Sequence, residues 1–129
     1  MRGVFITSMK VGHEDNRRMI KEIQNGLMDI KNLKILEVKE DCYLGGKSGH
    51  WHQHGEMMVI LKGECYDYVM ENIDTGEKET FNFKEGDVVF RTGRIIHGGH
   101  FKKGTVVLDG GAETYLSADF NDIPREETK

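Results

Sequence analysis

The sequence predicts an all-β protein built as a sandwich or barrel. Three observations carry that reading. Turn signals separate short apolar runs at the roughly 8–12-residue spacing typical of such folds. Polar and apolar side chains alternate along "CYDYVME" (65–71), the period of a strand. "NIDTGEK" (72–78) places an Asp-Thr-Gly hairpin signal between two such runs.

Taken in order, "EDNRRMIKEIQNGL" (14–27) puts Ile20, Ile23 and Leu27 on one face of a short helix, with Gly26 placed to end it. A turn followed by a strand fits Met19 and Ile23 as well, so this segment is helical or extended. Beyond it, "LKILEVK" (33–39) is a strand and "EMMVILKG" (56–63) a long apolar one. In 65–71, Tyr66, Tyr68 and Met70 fall on one face and Asp67 and Glu71 on the other. "KETFNF" (78–83) returns as the partner strand, "KEGD" (84–87) turns into "VVFR" (88–91), and "TVVLDGG" (105–111) is a further strand. We expect one domain over residues 1–129, its barrel at about 33–118 and a polar, loosely held tail at 119–129.

Composition narrows the function classes. Hydrophobic residues make up 37% and charged residues 31%, enough apolar surface to fold. A net charge of −4 gives no footing for nucleic acid or an anionic membrane. No run approaches the roughly 20 apolar residues of a membrane span, and "MRGVFITSMK" lacks the apolar core of a secretory signal. The expected location is the cytoplasm. Cys42 and Cys65 are too few for a disulfide scaffold and are expected as reduced, partly buried thiols.

"GHWHQHGE" (49–56) is the chemically distinctive stretch, holding three of the six histidines and a glutamate. His50, His52, His54 and Glu56 share one parity, so a straight strand points all four the same way. Facing a core, such a set is costly unless a divalent cation ligates it and keeps the imidazoles neutral. One short strand does not offer all four to one ion, and Gly55 allows the bend that turns one away. His97 closes a separate strand-and-turn unit that begins at Gly86.

These residues resemble the two motifs of the cupin superfamily. Gly45, His50, His52, Glu56 and Gly63 match the first, with four residues rather than five between Gly45 and His50. "GDVVFRTGRIIH" (86–97) looks like the second through Gly86 and His97, but Thr92 replaces its proline, Arg94 its glycine and Phe101 its asparagine. The resemblance implies a jelly-roll barrel, the cupin double-stranded β-helix, with a metal held in its mouth by His50, His52, Glu56 and His97. Three imidazoles and a carboxylate suit one divalent ion of Fe, Mn, Ni, Co, Cu or Zn and leave positions for water or substrate. His54 lies outside the motif spacing and is expected beside the site. His54, Tyr66, Tyr68, Arg91 and His100 are the candidate substrate-lining residues, Arg91 and Arg94 having the chemistry to bind a carboxylate or phosphate.

"GHWHQH", "VILKGE" (59–64) and "DTGE" (74–77) are also similar to small cupins of nucleotide-sugar and capsule-sugar metabolism. The resemblance implies a metal-binding cupin acting on a sugar-like or other oxygen-rich small molecule, with isomerase or epimerase chemistry among the expectations. An iron-dependent dioxygenase and a non-enzymatic binding protein are the alternatives. Trp51, read as outward-facing, and the apolar "MMVIL" strand suggest a homodimer formed through a sheet face or a strand edge.

Overall fold

The computed structural model describes residues 1–23, 28–45, 49–52, 54–112 and 123–124. Every regular element among them is a strand. One antiparallel sheet orders β1 (Val4–Ser8), β10 (Asp87–Arg91), β7 (Glu56–Lys62), β12 (Val106–Gly111) and β4 (Asn32–Glu37). The second orders β13 (Ile123–Pro124), β6 (His50–Trp51), β11 (Ile95–Phe101), β8 (Glu64–Asn72) and β9 (Lys78–Lys84), with β5 (Cys42–Leu44) also paired to β11. No helix among the described residues is long and apolar enough to cross a membrane.

The two sheets enclose a core of Met58, Ile60, Val89 and Val107 from the first and Cys65, Tyr68, Met70, Phe83, Ile95 and Phe101 from the second. Fully burying an aliphatic side chain such as Ile60 or Met70 contributes about 1.5–3 kcal/mol. The first sheet is apolar on its other face too. There Met57, Val59, Val88 and Phe90 are covered by Met9, Ile23, Met28 and Ile30. Burial on both faces is why "EMMVIL" reads as a continuous apolar run. β7 lies between β10 and β12, so neither of its edges is open for pairing with another chain.

Among the described residues 14–23 the expected helix is not formed; its extended alternative is. β2 (Lys10–Glu14) and β3 (Met19–Glu22) make a hairpin instead. Asp15 is the reason. Its Oδ1 accepts from the backbone N–H groups of Arg17 and Arg18 at 2.8 and 3.1 Å, closing a turn where the helix reading needed a first helical turn. A residue that caps a helix also closes such a turn. Ile20 ends up exposed, while Ile23 packs against the outer apolar cluster. Gln24 to Leu27 lie outside the described residues, as does the polar tail apart from Ile123 and Pro124.

β8 also departs from simple alternation. Tyr68 is buried but Tyr66 is 41% exposed, although the two share parity. The register against β9 shifts between Cys65 and Tyr68, and Asp67 adopts φ 50°. This is a β-bulge, and it turns Tyr66 to the outside.

Cys42 and Cys65 are free thiols on strands that flank β11 from opposite sides, each facing Phe101. Burial pushes the Cys65 thiol up to about 12. Because the thiolate is the nucleophile, Cys65 stays protonated and unreactive at any pH well below that value. Alkylation of native protein at pH 8, read by mass spectrometry, is expected to modify Cys42 and to reach Cys65 only after denaturation.

Candidate functional site

The histidine stretch carries the chain from one sheet to the other. His50 lies in β6, directly opposite His97 of β11, and Glu56 opens β7 in the facing sheet. Backbone bonds pin the crossing: the Arg94 N–H donates to the His52 carbonyl at 2.7 Å, and the Ala112 N–H to the Gly55 carbonyl at 3.0 Å. Gly45 is needed beside it. A Cβ there would lie 2.7 Å from the Gly98 backbone, and its φ is +117°.

The outcome is a three-imidazole cluster. The His50 and His97 rings are 4.5 Å apart, His50 and His52 4.8 Å, and His52 and His97 5.3 Å. One ring nitrogen from each lies within 4.8 Å of the others. His97 Nδ1 is 2.9 Å from the Ile95 carbonyl, which can only accept, so this nitrogen carries the proton and leaves the Nε2 lone pair toward the cluster. Burial, then the positive charge of Arg91, hold His97 well below its ordinary pKa, in the neutral form. Glu56 Oε1 is 3.1 Å from His52 Nε2 and 3.7 Å from His97 Nε2.

Beneath this cluster lies a buried polar network. Arg91 is 3% exposed, not part of a solvated rim. Its Nη2 donates to Glu56 Oε1 at 3.1 Å and its Nη1 to the Tyr68 hydroxyl at 2.9 Å. Burial pulls the Glu56 carboxyl upward, but Arg91 and His52 outweigh it and hold it below the usual carboxylate range. Burial also raises the Tyr68 phenol, which therefore keeps its proton. A cavity of ≈ 90 Å³ opens among His50, Tyr68, Arg91, His97 and Asp109. Asp109 was missed in the sequence. The available signal was its parity with core-facing Val107 in an otherwise apolar strand.

The remaining candidates divide. His54 stands beside the cluster, its ring 6.2 Å from that of His52. His100 and Tyr66 do not line the cavity with Tyr68. They stack on each other outside it at 5.2 Å, with Tyr43 edge-on to His100 at 5.0 Å. The bulge in β8 and the matching register shift at Gly98/His100 in β11 account for both. Arg94 pairs with Asp74 at 3.0 Å and lies 5.6 Å above the half-buried Trp51 ring. Its φ of 68° retains the left-handed conformation for which the second motif uses glycine.

Two antiparallel sheets closed over this site make a cupin-type jelly-roll barrel. Neither a protein-family model nor a curated protein matches the chain. Solved structures match it over nearly its whole length. QdtA, a sugar 3,4-ketoisomerase from Thermoanaerobacterium thermosaccharolyticum in complex with TDP, superimposes with TM-score 0.75 at 16% identity, covering 99% of this chain and 92% of that one. WlaRA, a TDP-fucose-3,4-ketoisomerase from Campylobacter jejuni, gives 0.76 at 14% identity, covering 99% and 93%. The Mycobacterium tuberculosis rmlC epimerase gives 0.75 at 11% identity, covering 95% and 68%. At these identities the likeness establishes the fold.

Proposed function

We propose that the chain is a metal-binding sugar isomerase or epimerase acting on a keto sugar, carried on a nucleoside diphosphate as in the neighbouring ketoisomerases. The observation that carries this reading is the cluster of three imidazoles with Glu56 against two of them, beside a cavity lined by His50, His97, Arg91, Tyr68 and Asp109. The three imidazoles fit an ion, and Glu56 lies close enough to two of them to join. Two ligands on one ion at ~2.0–2.2 Å are themselves about 3.0–3.5 Å apart. The 3.1 Å between Glu56 Oε1 and His52 Nε2 meets that, and 3.7 Å to His97 Nε2 needs only a small adjustment.

In this reading His50, His52, Glu56 and His97 hold the ion. A divalent cation there would supply Lewis-acid polarisation of a substrate carbonyl. Arg91 fixes the Glu56 carboxylate from behind, and the Ile95 carbonyl fixes the His97 ring. Tyr68 Oη, with its proton retained, offers a donor to a substrate oxygen. Isomerisation of an α-hydroxyketone needs no co-reactant. One proton leaves the carbon bearing the hydroxyl, one returns to the former carbonyl carbon, and the formula is unchanged.

Protein purified without chelator is expected to contain about one transition metal per chain. It is expected to convert TDP-4-keto-6-deoxyglucose, the compound bound in another structure of QdtA, to a positional isomer visible by NMR. Chelation should abolish the conversion and metal should restore it. Undiminished turnover after complete chelation would refute the metal's role. Oxygen uptake with no isomer formed would favour the dioxygenase alternative.

A further inference from the structure

The charge balance beneath the histidines leaves one group over. Arg91 is matched by Glu56 at 3.1 Å, and its other bond goes to Tyr68 at 2.9 Å. Asp109 is a second carboxyl in the same place. Its Oδ1 is shielded from solvent and has no hydrogen-bond partner among the described residues. A purely structural carboxyl is placed so that its oxygens are satisfied, because an unsatisfied buried acceptor costs stability. β12 sets Asp109 opposite Met58, a core-facing residue, two positions from the Gly111–Glu56 pair, so it shares the cavity with His50 and His97. Burial, then the nearby Glu56, push its carboxyl up to about 7, with Arg91 and Lys34 opposing.

We propose that Asp109 is a substrate-binding residue whose carboxyl engages the hydroxyl adjacent to the reacting carbonyl, so that the site selects α-hydroxyketones. This rests on the sugar-isomerase reading above and adds a residue that neither cupin motif contains. Tyr68 accepts from Arg91 and keeps its own O–H to donate, whereas Asp109 Oδ1 has no partner among the described residues.

The test compares metal-loaded wild type, Asp109→Ala and Asp109→Asn. Two probes are used, TDP-4-keto-6-deoxyglucose and dihydroxyacetone, the latter as a minimal α-hydroxyketone. Calorimetry gives Kd, NMR turnover gives KM and kcat, and metal content and Tm are recorded in parallel. Asp109→Ala is expected to raise Kd and KM on the order of 10–100-fold, the loss of one strong hydrogen bond. Asp109→Asn should recover part of it, with metal content and Tm unmoved. Wild-type Kd and KM in Asp109→Ala would overturn the proposal. So would a Tm loss beyond about 5 °C, which marks a structural role. Binding without turnover in wild type refutes the reaction but leaves the Kd ratio to decide Asp109. Failure of wild type to bind either probe overturns both.

Discussion

Arg91→Met is expected to destabilise the metal-free fold by about 3–5 kcal/mol, the cost of breaking a buried ion pair by removing one partner. Arg91 is fully enclosed and serves two groups at once, Glu56 and Tyr68. Without it, Glu56 remains as a mostly buried carboxylate with its principal countercharge gone, and the Tyr68 hydroxyl loses its donor. Methionine fills the volume, so the loss reports charge and hydrogen bonding more than a cavity. Arg91→Lys should recover little, because an ammonium does not reproduce the planar fork that reaches both partners. Adding Glu56→Gln to Arg91→Met should restore part of the stability by removing the stranded charge. Urea unfolding of chelator-treated protein measures all three. A loss below about 1 kcal/mol for Arg91→Met would mean that the pair is solvated like a surface one.

His97→Ala is expected to lose bound metal far more readily than His54→Ala. His97 is brought in by β11, is the buried member of the three-imidazole cluster, and is held by the Ile95 carbonyl. Removing it leaves two imidazoles and a carboxylate from one stretch of chain and opens a side of the site to water. His54 stands one ring further out, so its loss should cost at most roughly the 10–100-fold of an outer-sphere partner. A competition titration with a chromophoric chelator ranks both variants against wild type. If His54→Ala lost the ion and His97→Ala kept it, the ligand set would have to be redrawn around His52, His54 and Glu56.

Much of the barrel was legible because strand alternation and turn residues are local signals. β7, β8, β9, β10 and β12 each lie within a residue or two of where the pattern puts them. What escaped depends on nonlocal choices. Asp15 serves a turn as well as a cap, so the N-terminal segment became a hairpin once Lys10 and Glu22 could pair. Parity fails at a bulge, and the bulge in β8 sent Tyr66 outward and kept Tyr68 in. Arg91 shares parity with core-facing Val89, but β10 buries both faces, so its pattern gave no sign of which side the arginine takes. The cluster of His50, His52 and His97 was legible from motif spacing, and Glu56 lies beside it. Asp109 was signalled only by its parity with core-facing Val107, a weak sign because a single acid in a strand more often faces solvent.

The pairing of His50 with His97, and of β1 with β10 far along the chain, has a consequence for how the protein matures. Contacts between distant segments require large loops to close before they return any stabilisation, so folding of such a topology proceeds on the millisecond-to-second scale. The imidazoles of β6 and β11 meet only as that closure completes. An ion of the proposed kind would therefore have no assembled site to bind during early collapse, and would load onto a barrel whose strands are already in register.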